Sequence, residues 1–103
     1  LGISNAVAIA GGGFNTVVLR SDGNVFGSGH NLYGQLGDNT IVSKRTFVQA
    51  LGISNAVAIA GGGLHTVALR SDGNVFGSGD NFYGVLGDNT TVSKSTFVQA
   101  IGI

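Results

Sequence analysis

The chain has 103 residues, 43% apolar and only 10% charged, with five basic residues balanced by five aspartates and no glutamate. Such a chain is too apolar to be disordered, and without a basic excess it offers no phosphate-binding face for nucleic acid. Cysteine is absent, which excludes a disulfide framework and a thiolate metal site. No apolar run approaches the roughly 20 residues of a membrane-spanning helix, and no secretory-type leader is visible, so a soluble chain is expected.

The organisation is a tandem repeat. Leu1–Ala50 aligns without gaps on Leu51–Ala100, and Ile101-Gly102-Ile103 restarts the pattern of Leu51-Gly52-Ile53. We therefore expect a first unit over 1–50, a second over 51–100 and the start of a third over 101–103. The copies differ at eight positions: Phe14/Leu64, Asn15/His65, Val18/Ala68, His30/Asp80, Leu32/Phe82, Gln35/Val85, Ile41/Thr91 and Arg45/Ser95. No methionine occurs, even at position 1, and the pattern stops part-way. Both features lead us to expect a stretch of something longer, or completion by other chains.

Each copy reads as four short strands. Ala6–Ala10 is apolar throughout and stops at Gly11-Gly12-Gly13. Strict alternation would put Ala6, Ala8 and Ala10 on one face and Val7 and Ile9 on the other. Thr16–Arg20 follows and ends at Ser21-Asp22-Gly23-Asn24, where Asp-Gly supplies the positive φ of a tight hairpin. Val25–Ser28 is the return strand. A glycine-rich loop runs from Gly29 through Asn39, and Thr46–Ala50 closes the unit. No helical period of useful length appears, so the class is all-β. Apolar character on both strand faces implies sheets stacked between neighbours, as in propeller blades. A β-helix has much shorter rungs and fits less well.

Little in the chain carries chemistry. His65 and its counterpart Asn15 have no acid or nucleophile at a recognisable spacing, so hydrogen bonding to backbone between strands is the expected role and catalysis is not. Gly11-Gly12-Gly13 precedes a strand and lacks the lysine of a phosphate loop. Ser28 and Ser78 stand in no nucleophile elbow. Asp22, Asp38, Asp72 and Asp88 lack the spacing and terminal Glu of a calcium loop, so turn capping accounts for them. No catalytic, metal or cofactor site is expected. Asn89-Thr90-Thr91 is an acceptor sequon, so Asn89 is a glycosylation candidate if the protein is secreted. The remaining candidates are loop positions that differ between copies, where a partner could read them: His30 and Asp80, Gln35 and Val85, Arg45 and Ser95.

Asn15-Thr16-Val17-Val18-Leu19, Asp22-Gly23-Asn24-Val25-Phe26, Gly29-His30-Asn31 and Gly34-Gln35-Leu36-Gly37 together resemble the regulator-of-chromosome-condensation repeat. His65-Thr66-Val67-Ala68-Leu69 restores that family's usual His-Thr pair. The resemblance covers essentially the whole chain. Ser28 and Ser78 stand where the family commonly has tryptophan, Phe47 and Phe97 where it has proline, and Val85 where Gln35 keeps its glutamine. Without the tryptophan, packing is expected to be looser or filled by a neighbour such as Phe26 or Phe76. The resemblance implies four-stranded antiparallel blades of a seven-bladed propeller, a ring that two blades cannot close.

The expected function is a non-catalytic structural or protein-interaction module, a segment of a larger propeller or assembly. One alternative is a self-assembling subunit of a ring or filament, a homo-oligomer stacked head to tail. Another, implied by the resemblance, is nucleotide exchange on a small GTPase with chromatin binding, although no exchange residue can be carried over. The expected partner is a protein or further copies of the chain, with no nucleic acid and no membrane.

Overall fold

The computed structural model describes residues 3–102. Eight strands run in chain order: β1 Ala6–Gly11, β2 Asn15–Arg20, β3 Val25–Gly29, β4 Lys44–Gln49, β5 Ala56–Gly61, β6 His65–Arg70, β7 Val75–Gly79 and β8 Lys94–Gln99. They form two antiparallel four-stranded sheets, β1-β2-β3-β4 and β5-β6-β7-β8. The chain is all-β, and among the described residues no helix is long and apolar enough to cross a membrane.

The β2–β3 hairpin forms where Asp-Gly demands it. Gly23 takes φ +83°, its N–H donates to the Arg20 carbonyl, and the Arg20 N–H donates to the Asn24 carbonyl. Asp22 Oδ1 accepts the Asn24 N–H at 3.1 Å, so the aspartate caps its own turn. The pairing then runs in register from Leu19↔Val25 to Asn15↔Gly29.

The first strand departs from simple alternation. Ala6 pairs with Arg20 and Ala8 with Leu19, so a bulge at Val7 inserts one extra residue, and Val57 repeats it in β5. A bulge reverses the faces beyond it. Ala6 therefore lies on the opposite face from Ala8 and Ala10, correcting the alternation expected from the sequence.

The sheets stack face to face, and the core lies in the seam between them. Val17, Leu19 and Val25 of the first sheet meet Ala56, Ala68, Phe76 and Phe97 of the second, with Ile53 of the connecting segment buried among them. Phe97 is the largest insertion. It sits over Gly37, where an added Cβ would fall 2.7 Å from its ring carbons, so only glycine leaves room for it. Hydroxyls fix the register of the seam. Thr66 Oγ1 donates to the Gln35 carbonyl at 2.8 Å and Ser78 Oγ to the Gly34 carbonyl at 2.6 Å. Three backbone donors cross as well: Asn39 N–H to the Ser95 carbonyl, Ala56 N–H to Gly23 and Gly13 N–H to Gly62.

This seam answers the missing tryptophan. Ser78 is fully buried, and Phe97, in the proline position, fills the space beside it against Gly37. Phe76 is buried in the same core, its ring capped by the Arg70 guanidinium at 5.1 Å. Phe97 is thus the neighbour that the sequence left unnamed.

Phe97 and Phe47 occupy equivalent strand positions with unequal surroundings, since Phe97 is 4% exposed in the seam while Phe47 is only half-buried. Replacing Phe97 with alanine should cost about 3–5 kcal/mol, and the same change at Phe47 less than about 1.5 kcal/mol, because only Phe97 leaves a cavity inside the core. Urea unfolding followed by circular dichroism reads the difference.

Candidate functional site

The loops following β3 and β7 are built around a buried asparagine. Asn31 has no solvent exposure. Its Nδ2 donates to Asp38 Oδ1 and to the carbonyls of Thr40 and Val42, all within 3.1 Å. Its Oδ1 accepts the Leu36 N–H at 2.9 Å, and its own N–H donates to Ser43 Oγ at 3.1 Å. One side chain thereby gathers both limbs of the loop. Asn81 repeats the arrangement with Asp88, Thr90, Val92, Leu86 and Ser93. A buried polar network satisfied this completely fixes a single loop conformation.

The loop aspartate completes each hub. Asp38 Oδ1 accepts the N–H and the hydroxyl of Thr40, and its Oδ2 faces Lys44 Nζ at 2.8 Å, the carboxylate being 8% exposed. Asp88 and Lys94 repeat the pair at 2.7 Å. Burial raises the Asp38 pKa, but Lys44, Thr40 and Asn31 outweigh it and hold the carboxyl below its ordinary value. At Asp88 the Lys94 ammonium is the main cause of a strong depression, joined by Thr90 and Asn81. These aspartates are committed to caps and ion pairs, and among the described residues no three His, Asp or Glu gather as metal ligands would.

The hub holds apolar residues out into solvent. Leu32 is 60% exposed and Tyr33 43% in the first loop, and Phe82 is 69% and Tyr83 84% in the second. In the first unit His30 is a tilted neighbour of Tyr33 and meets Phe14 edge-on, with ring centroids near 6 Å. Gln35 Nε2 lies 2.7 Å from His30 Nδ1, and Gln35 Oε1 accepts the Tyr33 N–H at 3.0 Å. In the second unit Leu64, Asp80 and Val85 replace this set, and Phe82 packs edge-on against Tyr83 at 4.9 Å. Sequence reasoning missed these tip residues; the one signal was the Leu32/Phe82 difference beside a Tyr shared by both copies.

The sequence candidates divide. His30 and Asp80 lie at the tips, half-buried, and Val85 is 48% exposed beside them. Arg45 is exposed but stands on β4, away from the tip. Gln35 is corrected: it has no solvent exposure, because the second sheet covers it and its side chain is spent on His30 and Tyr33. Ser95 is half-buried, with its backbone in the seam against Gly34 and Asn39. Nor do Asn15 and His65 bridge strands. Asn15 is buried with both side-chain polar atoms unpartnered, and His65 makes no side-chain hydrogen bond among the described residues. Asn89 is exposed on its loop at φ +67°.

Two sequence profiles of the regulator of chromosome condensation (RCC1) repeat match the chain. One matches residues 6–35 and again 56–85, and the other matches residues 22–69 across the junction. The chain belongs to the RCC1 repeat family. Its sheets are RCC1 propeller blades, and two of them do not close a ring. Human WBSCR16 superposes with a TM-score of 0.80 at 25% identity, over 91% of this chain and 25% of that one. Yeast RCC1 (Prp20), in its complex with Kap60, gives 0.79 at 19% identity, over 97% of this chain and 26% of that one. Prp20p from Saccharomyces cerevisiae, described with its binding to Gsp1p and histones, gives 0.76 at 20% identity, over 97% and 27%. The chain thus spans about a quarter of the length of these relatives. No curated protein sequence matches it significantly.

The ion pairs set an acid limit on the blades. Folded Asp38 and Asp88 titrate below the unfolded value of about 3.9, so their stabilisation is complete above that value and is lost as pH falls through the folded range. The thermal midpoint should be flat from about pH 5 to pH 7 and drop below about pH 4. In the Asp38→Asn/Asp88→Asn double variant it should be lower at neutral pH and less acid-sensitive, as read by scanning calorimetry.

Proposed function

We propose that this chain is a non-catalytic protein-interaction module whose two blades present apolar loop tips to a protein partner. The observation that carries this reading is the pairing of a rigid base with an exposed tip. Asn31 and Asn81 lock the loops, so Leu32-Tyr33 and Phe82-Tyr83 meet solvent without the ordering cost that a floppy loop would add on binding. Rigid aromatic side chains are the residues that anchor protein interfaces.

The differences between copies support the same reading. Five of the eight fall at positions 14, 15, 30, 32 and 35 of the first unit, around one loop end. One frame therefore offers two different tips: His30 with Phe14 and Tyr33 in one blade, Asp80 with Phe82 and Tyr83 in the next. Prp20p is a propeller studied for its binding to Gsp1p and histones. That supports a protein as the class of partner here and leaves its identity open. We also propose 1–50 and 51–100 as the two repeat units.

Cross-linking and affinity capture with the intact chain should recover a protein partner. The Tyr33→Ala/Phe82→Ala/Tyr83→Ala variant should lose at least about tenfold in affinity, in keeping with truncated aromatic anchors, at an unchanged thermal midpoint. Equal retention by that variant would overturn the tip assignment.

A further inference from the structure

Nearly every charge in this chain is neutralised from within. Of its five aspartates, four are ion-paired: Asp22 with Arg20, Asp38 with Lys44, Asp72 with Arg70 and Asp88 with Lys94. Asp80 alone has no cationic partner among the described residues. It is half-buried at the second tip, where its own N–H donates to the Leu64 carbonyl at 2.9 Å and fixes its backbone. Asp80 Oδ1 accepts the Phe82 N–H at a long 3.3 Å, and Oδ2 makes no hydrogen bond among the described residues. The carboxylate therefore stands at the base of Phe82 and Tyr83, two rings that are 69% and 84% exposed and meet edge-on. A half-buried carboxylate without a cation has given up hydration with little in return, so an arriving charged donor is favoured there.

Elsewhere the chain shows what a carboxylate beside an aromatic ring takes. Arg70 lies over the Phe76 ring at 5.1 Å while its guanidinium pairs with Asp72 at 2.7 Å. The first blade repeats this with Arg20, 5.2 Å from the Phe26 ring and 3.1 Å from Asp22. A planar guanidinium serves both partners at once, its face on the ring and its edge toward the carboxylate, whereas an ammonium is a compact point charge. Asp80 and Phe82 offer a carboxylate and a ring with no arginine of this chain to fill them. The preceding blade is already in place beside Asp80. At the first tip, Leu32 stays 60% exposed and Tyr33 43% with the following blade stacked against it. A further blade after the second would by the same geometry leave Phe82 and Tyr83 open.

We propose that the second tip binds an arginine side chain of the protein partner, its guanidinium paired with Asp80 and stacked on Phe82 or Tyr83. This rests on the assignment of the tips as the partner surface, and it names what one of them reads: an arginine in an exposed segment of the partner. The first tip has no carboxylate to offer. His30, the counterpart of Asp80, has Nδ1 2.7 Å from Gln35 Nε2 and its ring beside Phe14 and Tyr33. The two tips thus differ in kind, the second selecting by charge and the first by ring contact. The His30/Asp80 difference is the substitution that sets this specificity.

Titrating the isotope-labelled full chain with acetyl-Gly-Arg-Gly-amide should shift the NMR amide signals of Asp80, Phe82 and Tyr83 and saturate at millimolar peptide. The signals of Leu32 and Tyr33 should change little. The citrulline peptide, of the same shape but neutral, should bind at least about tenfold more weakly, and the lysine peptide should fall between the two. Asp80→Asn should lose at least about tenfold in affinity for the arginine peptide, as expected for one charge-assisted pair. Its β circular-dichroism spectrum and thermal midpoint should be unchanged. Asp80→His, which copies the first tip, should lose as much. Absence of saturable shifts at the second tip would overturn the proposal. So would equal affinity for the arginine peptide and either substitute, or full binding by Asp80→Asn. The captured partner separates this inference from the reading beneath it. If its binding falls with the Tyr33→Ala/Phe82→Ala/Tyr83→Ala variant and not with Asp80→Asn, the tip assignment stands and the arginine is excluded.

Discussion

Everything in this structure depends on one contact, the insertion of Phe97 over Gly37 between two hydroxyl-to-carbonyl hydrogen bonds. A four-stranded sheet with apolar residues on both faces leaves both of them wet when it stands alone. The seam takes one face of each sheet out of water by burying it against the other. The aromatic ring supplies apolar area, and the hydroxyls supply direction, since Thr66 and Ser78 find their carbonyl acceptors in only one register. Glycine at Gly34 and Gly37 is the condition for both, as any side chain there would strike Ser95 or Phe97.

The seam in turn positions the loops. Gly34, Gln35 and Gly37 are seam residues, and they lie within the segment that the Asn31 hub folds. Docking the second sheet therefore holds one limb of the loop from outside while Asn31 and Asp38 hold it from within. Tyr33 and Leu32, caught between these two anchors, are left pointing at solvent. Exposed apolar residues on a rigid mount differ from exposed apolar residues on a mobile loop, because little freedom remains to be lost on binding.

Much of this was legible in the sequence, and the part that was not has a common cause. Ser21-Asp22-Gly23-Asn24 announces its turn because Asp-Gly encodes positive φ locally, and the hairpin follows. The bulge at Val7 was invisible because an apolar pentapeptide gives no sign of where its alternation breaks. Gln35 was read as a partner-contact position because it lies in a glycine-rich loop and differs from its counterpart Val85. What covers it belongs to a strand more than forty residues away. Phe97 appeared only as a replaced proline, since its socket at Gly37 is sixty residues upstream. Asn31 stood in the sequence only as part of the Gly29-His30-Asn31 motif, yet it organises the loop by reaching seven to eleven residues along the chain. Local chemistry was readable; roles assigned by the neighbouring blade were not.

The distribution of the eight differences then acquires a physical meaning. A seam that must be built between successive blades tolerates little change, because ring, hydroxyls and glycines fit as a set, and these are shared between the copies. Where a seam position does vary, Arg45/Ser95 and Gln35/Val85 make their contact by backbone and leave the side chain free to differ, while Val18/Ala68 exchanges one small apolar side chain for another. The loop ends carry no such constraint once the hub is in place, and there the copies diverge in charge, ring and hydrogen bonding. Constancy along the stacking direction and variation across it is the pattern expected when one surface joins like units and another meets something unlike. The two surfaces share Gln35, whose carbonyl accepts Thr66 in the seam while its side chain steadies His30 and Tyr33 at the tip. Through that residue, stacking a blade and stiffening its neighbour's loop become one event.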